Sequence, residues 1–172
     1  CMNTDKLQII RGCHLFSGAA AESLAPLAAA SYVERRRSSE TIFSAEDEAD
    51  GLRVVLSGQV RIWLDNSEGR QLTLALLGRG DPFGEIALLD GLPRTANATC
   101  LEPTECLFLP AKAVQDALLH DGRLANALIL SLCELLRQNL GTLTGFAFAD
   151  LDSRLALKLH ELALDYAEIA SS

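Results

Sequence analysis

From Tyr32 to about Pro110 the apolar residues of this 172-residue chain recur at every second position, and no other feature constrains its fold as much. In "GQVRIWLD", Val60, Ile62 and Leu64 alternate with Arg61, Trp63 and Asp65. In "RQLTLALLG", Leu72, Leu74 and Leu76 alternate in the same way, and "ATCLEPTECLFLP" ends in another strand-like run. Successive side chains of a strand point to opposite faces, so a two-residue period marks half-buried strands. The runs are separated by "DEADG", "LSGQ", "DNSEGR" and "LGRGDPFG", whose glycine, aspartate, asparagine and proline are turn formers. Short strands at this spacing predict a closed or rolled antiparallel sheet.

Helical patterns flank it. Residues 4–30 read as helical: a short amphipathic "DKLQII", then the alanine-rich "FSGAAAESLAPLAAASY", with Ser17 and Gly18 as a cap and Pro26 early in the helix or at a kink. After Pro110, "AKAVQDALLHDG" is one short helix, and Arg123 to about Ala149 forms a long one with two stripes. The first is Leu128, Leu132, Leu135, Asn139, Thr142 and Phe146; the second is Ile129, Cys133, Leu136, Leu140, Leu143 and Ala147. Both advance in alternating steps of four and three, the spacing of coiled-coil seams. One stripe suffices to pack a helix on its own domain, so two imply a second helix as partner. Gly141 and Gly145 each cost ~1 kcal/mol relative to alanine, which close backbone approach would offset. From Asp150, "DLDSRLALKLHELALDYAEI" is another amphipathic helix, with Leu151, Leu155, Leu159 and Leu162 on one face.

The composition, 49% apolar and 22% charged, is that of a globular chain. No apolar run approaches the ~20 residues of a membrane span, and the polar "CMNTDKLQII" lacks the core of a signal peptide. The five cysteines (1, 13, 100, 106 and 133) form no C-x-x-C, and His14, His120 and His160 are scattered, so a zinc or iron–sulfur site is not expected. Reduced, mostly buried thiols in a cytoplasmic protein are expected instead. A net charge of −8 argues against gripping DNA by the chain's own field.

One stretch interrupts the strand pattern. "FGEIALLDGLPRTANA" (83–98) carries Glu85 and Arg94 in a largely apolar setting, where an unpaired charge is costly. Two readings satisfy them. They pair with each other across a loop, or they hold a ligand. In the second, "EIALL" makes one helical turn whose free N–H groups favour an anion. Arg94 offers a planar fork suited to phosphate, and Glu85 accepts from hydroxyls. A compact sugar–phosphate meets both demands.

The stretch closely resembles the phosphate-binding cassette of cyclic nucleotide-binding domains, in Phe83, Gly84, Glu85, Ala87, Leu88, Pro93, Arg94 and Ala96 and in the Glu-to-Arg spacing. "GLRVVLSGQVRIW" resembles the family's strand–Gly–strand hairpin. "FADLDSRLALKLHELA" is similar to the hinge and following helix of bacterial Crp/Fnr-type transcription regulators. The resemblance implies a mainly β fold with flanking helices, a jelly-roll-like β-roll followed by a dimerisation helix, and cAMP or cGMP as effector. Glu85 would accept from the ribose 2′-OH and Arg94 would pair with the cyclic phosphate. Amides near Gly84, Ile86 and Ala87, with Thr95, would complete a cage that Phe83, Pro93 and Ala96 frame. Asn139, and then Thr142, would lie over the purine. Threonine at 95 is associated with tolerance of guanine. Leu128, Leu132, Leu135, Asn139, Thr142 and Phe146 would form the seam of a homodimer.

The resulting organisation is a nucleotide-binding β-roll with N-terminal helices over 4–121, a dimerisation helix over 122–149, and a hinge and the start of a DNA-binding domain over 150–170. DNA would be contacted only through that further domain. Two departures stand out: Glu46 occupies a position where the family has glycine, so an altered loop with little effect on the pocket is expected, and no winged helix-turn-helix follows. The Fnr-type cysteine cluster is absent. A regulatory domain of a kinase or channel shares the cassette, but the long helix and "DLDSRLALKL" favour the transcription regulator. Asp81 and Glu85 have no nucleophile, base or metal cluster around them, so a non-enzymatic sensor is expected. No membrane partner is expected either.

Overall fold

The computed structural model describes residues 2–141 and 144, so the expectations for Thr142, Phe146 and the 150–170 segment lie outside the described residues. Helix α1 (Met2–Gly12), a single 3-10 turn (His14–Phe16) and α2 (Ala21–Ala30) precede the strands β1 (Tyr32–Arg36), β2 (Thr41–Phe43), β3 (Gly51–Ser57), β4 (Val60–Asp65), β5 (Gln71–Leu77) and β6 (Pro82–Phe83). Then come α3 (Glu85–Asp90), β7 (Asn97–Cys100), β8 (Thr104–Pro110) and α4 (Ala111–His120). A last helix, α5, covers 122–141.

The strands form two four-stranded sheets in the orders β1-β8-β3-β6 and β2-β7-β4-β5. All pairings are antiparallel. The inner faces meet in a cluster to which the first sheet gives Val55, Phe83 and Cys106 and the second Val60 and Ala98, with Ile42, Phe43, Ile62 and Leu77 against it. A rolled antiparallel sheet is thus the fold, as the two-residue period implies. Strand β3 is central to the first sheet, and its Leu52, Val54 and Val55 are almost free of solvent. So is Arg53, a charge inside that apolar run.

Two local readings need correction. Helix α2 starts at Ala21, later than Ser17 and Gly18, with no side-chain cap. Ser17 instead closes the preceding 3-10 turn by donating to the His14 carbonyl at 3.0 Å. On β5, Leu72, Leu74 and Leu76 are more than half exposed. The strand lies at the sheet edge, and a bulge between Ile62 and Trp63 shifts its register on β4. Period two fixes which residues share a face; coverage of that face depends on where the sheet bends.

By compactness the chain divides into Cys1–Ser131 and a second unit from Leu132. Within the first, Leu124, Ala127 and Leu128 of α5 are buried, as are Ile10, Leu15, Phe16, Leu24 and Leu27 of the N-terminal segment.

Glu46, in the β2–β3 connection, has φ +71, the left-handed backbone that glycine adopts without strain. The connection is not remote from the cassette: the Glu46 N–H donates to the Arg94 carbonyl at 2.9 Å, and the Arg94 N–H donates to the Asp47 carbonyl at 2.8 Å. Relieving a left-handed side chain gains ~1–2 kcal/mol, of which glycine's greater freedom in the unfolded chain returns part. Glu46→Gly is therefore expected to raise the unfolding free energy by about 0.5–1 kcal/mol in urea. A lower value would contradict this account of the turn.

Candidate functional site: a buried arginine in a glycine cradle

Strand β6 ends at Phe83 and α3 begins at Glu85, so the chain turns through Gly84 alone, with φ +84. A Cβ there would meet Arg94 Nη1 at 2.6 Å, so the position excludes a side chain by conformation and by contact. Arg94 stands at the other end of the cassette, past Gly91, which ends α3 with φ +72.

The Arg94 side chain is 2% exposed. Nη1 donates to the Gly84 carbonyl at 2.6 Å, and Nη2 donates to Asp50 Oδ1 at 2.6 Å and to the Gly51 carbonyl at 2.9 Å. The guanidinium lies 4.3 Å from the centroid of the Phe43 ring, a cation–π contact. Its Nε is buried and has no partner. A charged donor left unpaired in the interior is unusual and marks a place where an acceptor would be favourable.

Asp50 is shared. Arg53 donates Nη1 to its Oδ1 at 3.0 Å and Nη2 to its Oδ2 at 2.7 Å, and Arg53 Nε donates to Glu34 at 2.9 Å. Glu34 lies 3.7 Å from Arg36, which also pairs with Glu40 at 2.9 Å. Burial works to raise the Asp50 carboxyl, but hydrogen bonds and charge from Arg53, and then from Arg94, outweigh it and hold it down at about 2. Glu85 moves the other way: burial raises it, opposed by its own backbone N–H, by His14 and by Arg94. Glu85 makes no ion pair with any described residue. Of the two sequence readings, the direct Glu85–Arg94 bridge is not formed; the carboxylate partner of Arg94 is Asp50.

The cassette residues separate by burial. Phe83, Ala87, Leu88 and Ala96 are buried and fix the loop, while Ile86, Pro93 and Thr95 are exposed. Asn139 is an exposed residue of the second unit. A crevice of about 310 Å³ beside Gly91, Leu92 and Pro93 is completed by Glu48, Ala49 and Gln115; neither Glu85 nor Arg94 lines it. Motif reading missed Asp50, Arg53 and Glu34. The signal that could have found them is Arg53 itself, a charge in "GLRVVL" that needs buried partners. Among the described residues no group of histidine, cysteine, aspartate and glutamate could hold a metal, and no helix is long and apolar enough to cross a membrane.

Fold and cassette together define an antiparallel β-roll with flanking helices. Residues 33–121 match the cyclic nucleotide-binding domain family, and the chain belongs to it. Its relatives include Crp-like regulators. It is 41% identical over 102 residues to the cyclic AMP receptor protein of Thermus thermophilus, covering 58% of this chain and 46% of the relative. It is 28% identical over 123 residues to the CRP-like cAMP-activated global transcriptional regulator of Mycobacterium tuberculosis, covering 72% and 55%. The crystal structure of the N-terminal domain of a Streptomyces coelicolor transcriptional regulator superposes with a TM-score of 0.66 at 30% identity, over 78% of this chain and 94% of that one. The chain spans about half the length of the curated relatives it matches.

Glu85 and Asp50 give opposite pH dependences. A carboxyl raised in the folded protein holds its proton where the unfolded chain has lost it. Glu85 therefore favours the fold below its unfolded value of 4.5, and that contribution is lost as pH rises through the higher folded value. Asp50 stabilises above 3.8, and its contribution is lost as pH falls towards about 2. Glu85→Gln should accordingly be more stable than wild type at pH 7 and show a flatter stability profile above pH 4.5, read from urea midpoints. A variant less stable than wild type at pH 7 would show that the ionised carboxylate is well compensated.

Proposed function

We propose that this chain is the effector-sensing part of a Crp/Fnr-type transcription regulator and that its effector is a cyclic nucleotide, cAMP or cGMP. The carrying observation is Arg94: buried, cradled by the Gly84 carbonyl, and left with an unpartnered Nε. A phosphate oxygen is the acceptor that such a charged planar donor suits. Glu85, whose carboxyl burial pushes up and which makes no ion pair with any described residue, gains from a donor, and a ribose 2′-hydroxyl supplies one. Amides at Ile86 and Ala87 and the exposed Thr95 complete the polar set, and Asn139 and Thr142 are the candidates for the purine edge. In this reading the chain binds the nucleotide rather than transforming it.

Signalling in this reading passes through α5 and its twin in a homodimer. Leu128 is 5% exposed, which makes it a weaker candidate for the seam. Leu132 and Leu135 are half-buried, whereas Ile129, Leu136 and Leu140 are more than half exposed and Cys133 is exposed. The exposed stripe is the better candidate for a two-fold seam. Cyclic nucleotide shifts the helix pair only by its differential affinity for two arrangements. DNA is then contacted by a separate domain of the whole regulator.

Calorimetric titration with cAMP and then cGMP tests the effector. Arg94→Ala is expected to cost ~2–5 kcal/mol, about 30- to 4000-fold in affinity, because it removes the charge facing the phosphate. Wild type should bind cGMP within about tenfold of cAMP, a gap of ~1.4 kcal/mol, and Thr95→Ala should weaken cGMP selectively. Unchanged cAMP affinity in the Arg94 variant would refute the cassette reading. For assembly, Leu136→Asp should convert a dimer to a monomer in sedimentation velocity at micromolar concentration. A monomeric wild type, with and without cAMP, would count against the seam.

A further inference from the structure

We infer that Arg53, which lies outside the cassette and on a different strand, is a positioning residue for the anion held at Arg94, acting through Asp50. The inference rests on the reading of the cassette as a cyclic nucleotide site.

The geometry carries it. One carboxylate stands between two buried arginines, and the arginines use it unequally. Arg53 grips Asp50 fork to fork, at 3.0 Å on Oδ1 and 2.7 Å on Oδ2. Arg94 donates a single bond to Oδ1, at 2.6 Å. Arg53 is itself fixed at its third position by Glu34 at 2.9 Å and rests 4.5 Å from the Phe108 ring centroid, so it cannot turn toward Arg94. Bidentate arginine–carboxylate pairs are the strong, directional ones. While Arg53 holds both oxygens, Asp50 cannot swing to form such a pair with Arg94, and Arg94 Nε stays open.

Charge balance points the same way. Arg94 is flanked by Asp50 and Glu85, and a phosphate brings another negative charge into the same low-dielectric region. Arg94 alone cannot offset all of them. Arg53 neutralises Asp50 through both oxygens, sharing Oδ1 with Arg94, and leaves the Arg94 charge to the ligand. Removing Arg53 should release Asp50 to compete for Arg94 and to repel the phosphate, although Arg53 touches neither.

The test is cAMP affinity by calorimetry on the whole chain, with folding followed by thermal melting. Arg53→Gln keeps donors for Glu34 and Asp50 but removes the charge, and cAMP affinity should fall at least about tenfold. Adding Asp50→Asn to that variant should restore affinity to within about threefold of wild type, because the competing charge is gone. A merely structural role for Arg53 would leave the double variant as weak as the single one or weaker. Wild-type affinity in folded Arg53→Gln, or no recovery in the double variant, overturns the inference while the cassette reading stands. Should Arg53→Gln fail to fold, Arg53→Lys decides: it loses the bidentate grip on Asp50, so a fall in cAMP affinity of about threefold or more in the folded variant supports the inference, and wild-type affinity overturns it. A wild-type chain that binds no cAMP overturns both readings.

Discussion

The Asp50 carboxylate lies between the guanidinium groups of Arg53 and Arg94, and the arrangement of the cassette follows from that contact. Asp50 ends the β2–β3 connection, Arg53 belongs to the central strand β3, and Arg94 closes the segment after α3. Two pieces of chain more than forty residues apart are thereby held by charge in a region where burial alone would oppose each charge. Buried ion pairs contribute little net stability compared with apolar packing, yet removing one partner is costly, ~3–5 kcal/mol. The network therefore fixes geometry more than it adds stability. The sheets provide its frame: Phe43 and Phe108 supply ring faces, and Gly51 and Gly84 supply carbonyls.

An acidic chain with net charge −8 is an unpromising anion binder judged by its total field. In the proposed reading the local arrangement outweighs that field. Surface charges beyond about 8–10 Å are screened by physiological salt, whereas a desolvated arginine acts at short range through little water. Asp50, the carboxylate nearest Arg94, is engaged with two arginines, and Glu34 with Arg53, so both contribute little free negative charge there. The same reasoning explains why Glu85, with no cation paired to it, is the carboxyl that burial pushes upward.

The cassette was legible in the sequence because its demands are local: Gly84 for backbone approach, Glu85 and Arg94 at fixed spacing, Gly91 to end the helical turn. The strands were legible from their period, and the two-sheet roll from the turns between them. What escaped was set by tertiary contact. Nothing in a two-residue period says that Leu72, Leu74 and Leu76 lie on an edge strand beyond a bulge, more than half exposed. Nothing in the spacing of Glu85 and Arg94 names Asp50, more than forty positions upstream, as the true partner of Arg94. Arg53 in "GLRVVL" was the visible anomaly, and a charge in an apolar strand could have prompted a search for its carboxylates. Glu46 shows how a family position fills a geometric need: its left-handed backbone is the one the usual glycine would adopt, and its N–H holds the main chain of Arg94.

The central claim is that Arg94 is held by protein acceptors on its Nη atoms while its Nε–H is kept for a phosphate. The side-chain Nε–H resonance of Arg94, assigned by its loss in Arg94→Lys and followed by NMR during titration with cAMP, reads that donor directly. The account predicts a large downfield shift that saturates with the binding isotherm, as the unpartnered donor gains a charged acceptor. A resonance that stays in place while cAMP binding saturates would contradict it.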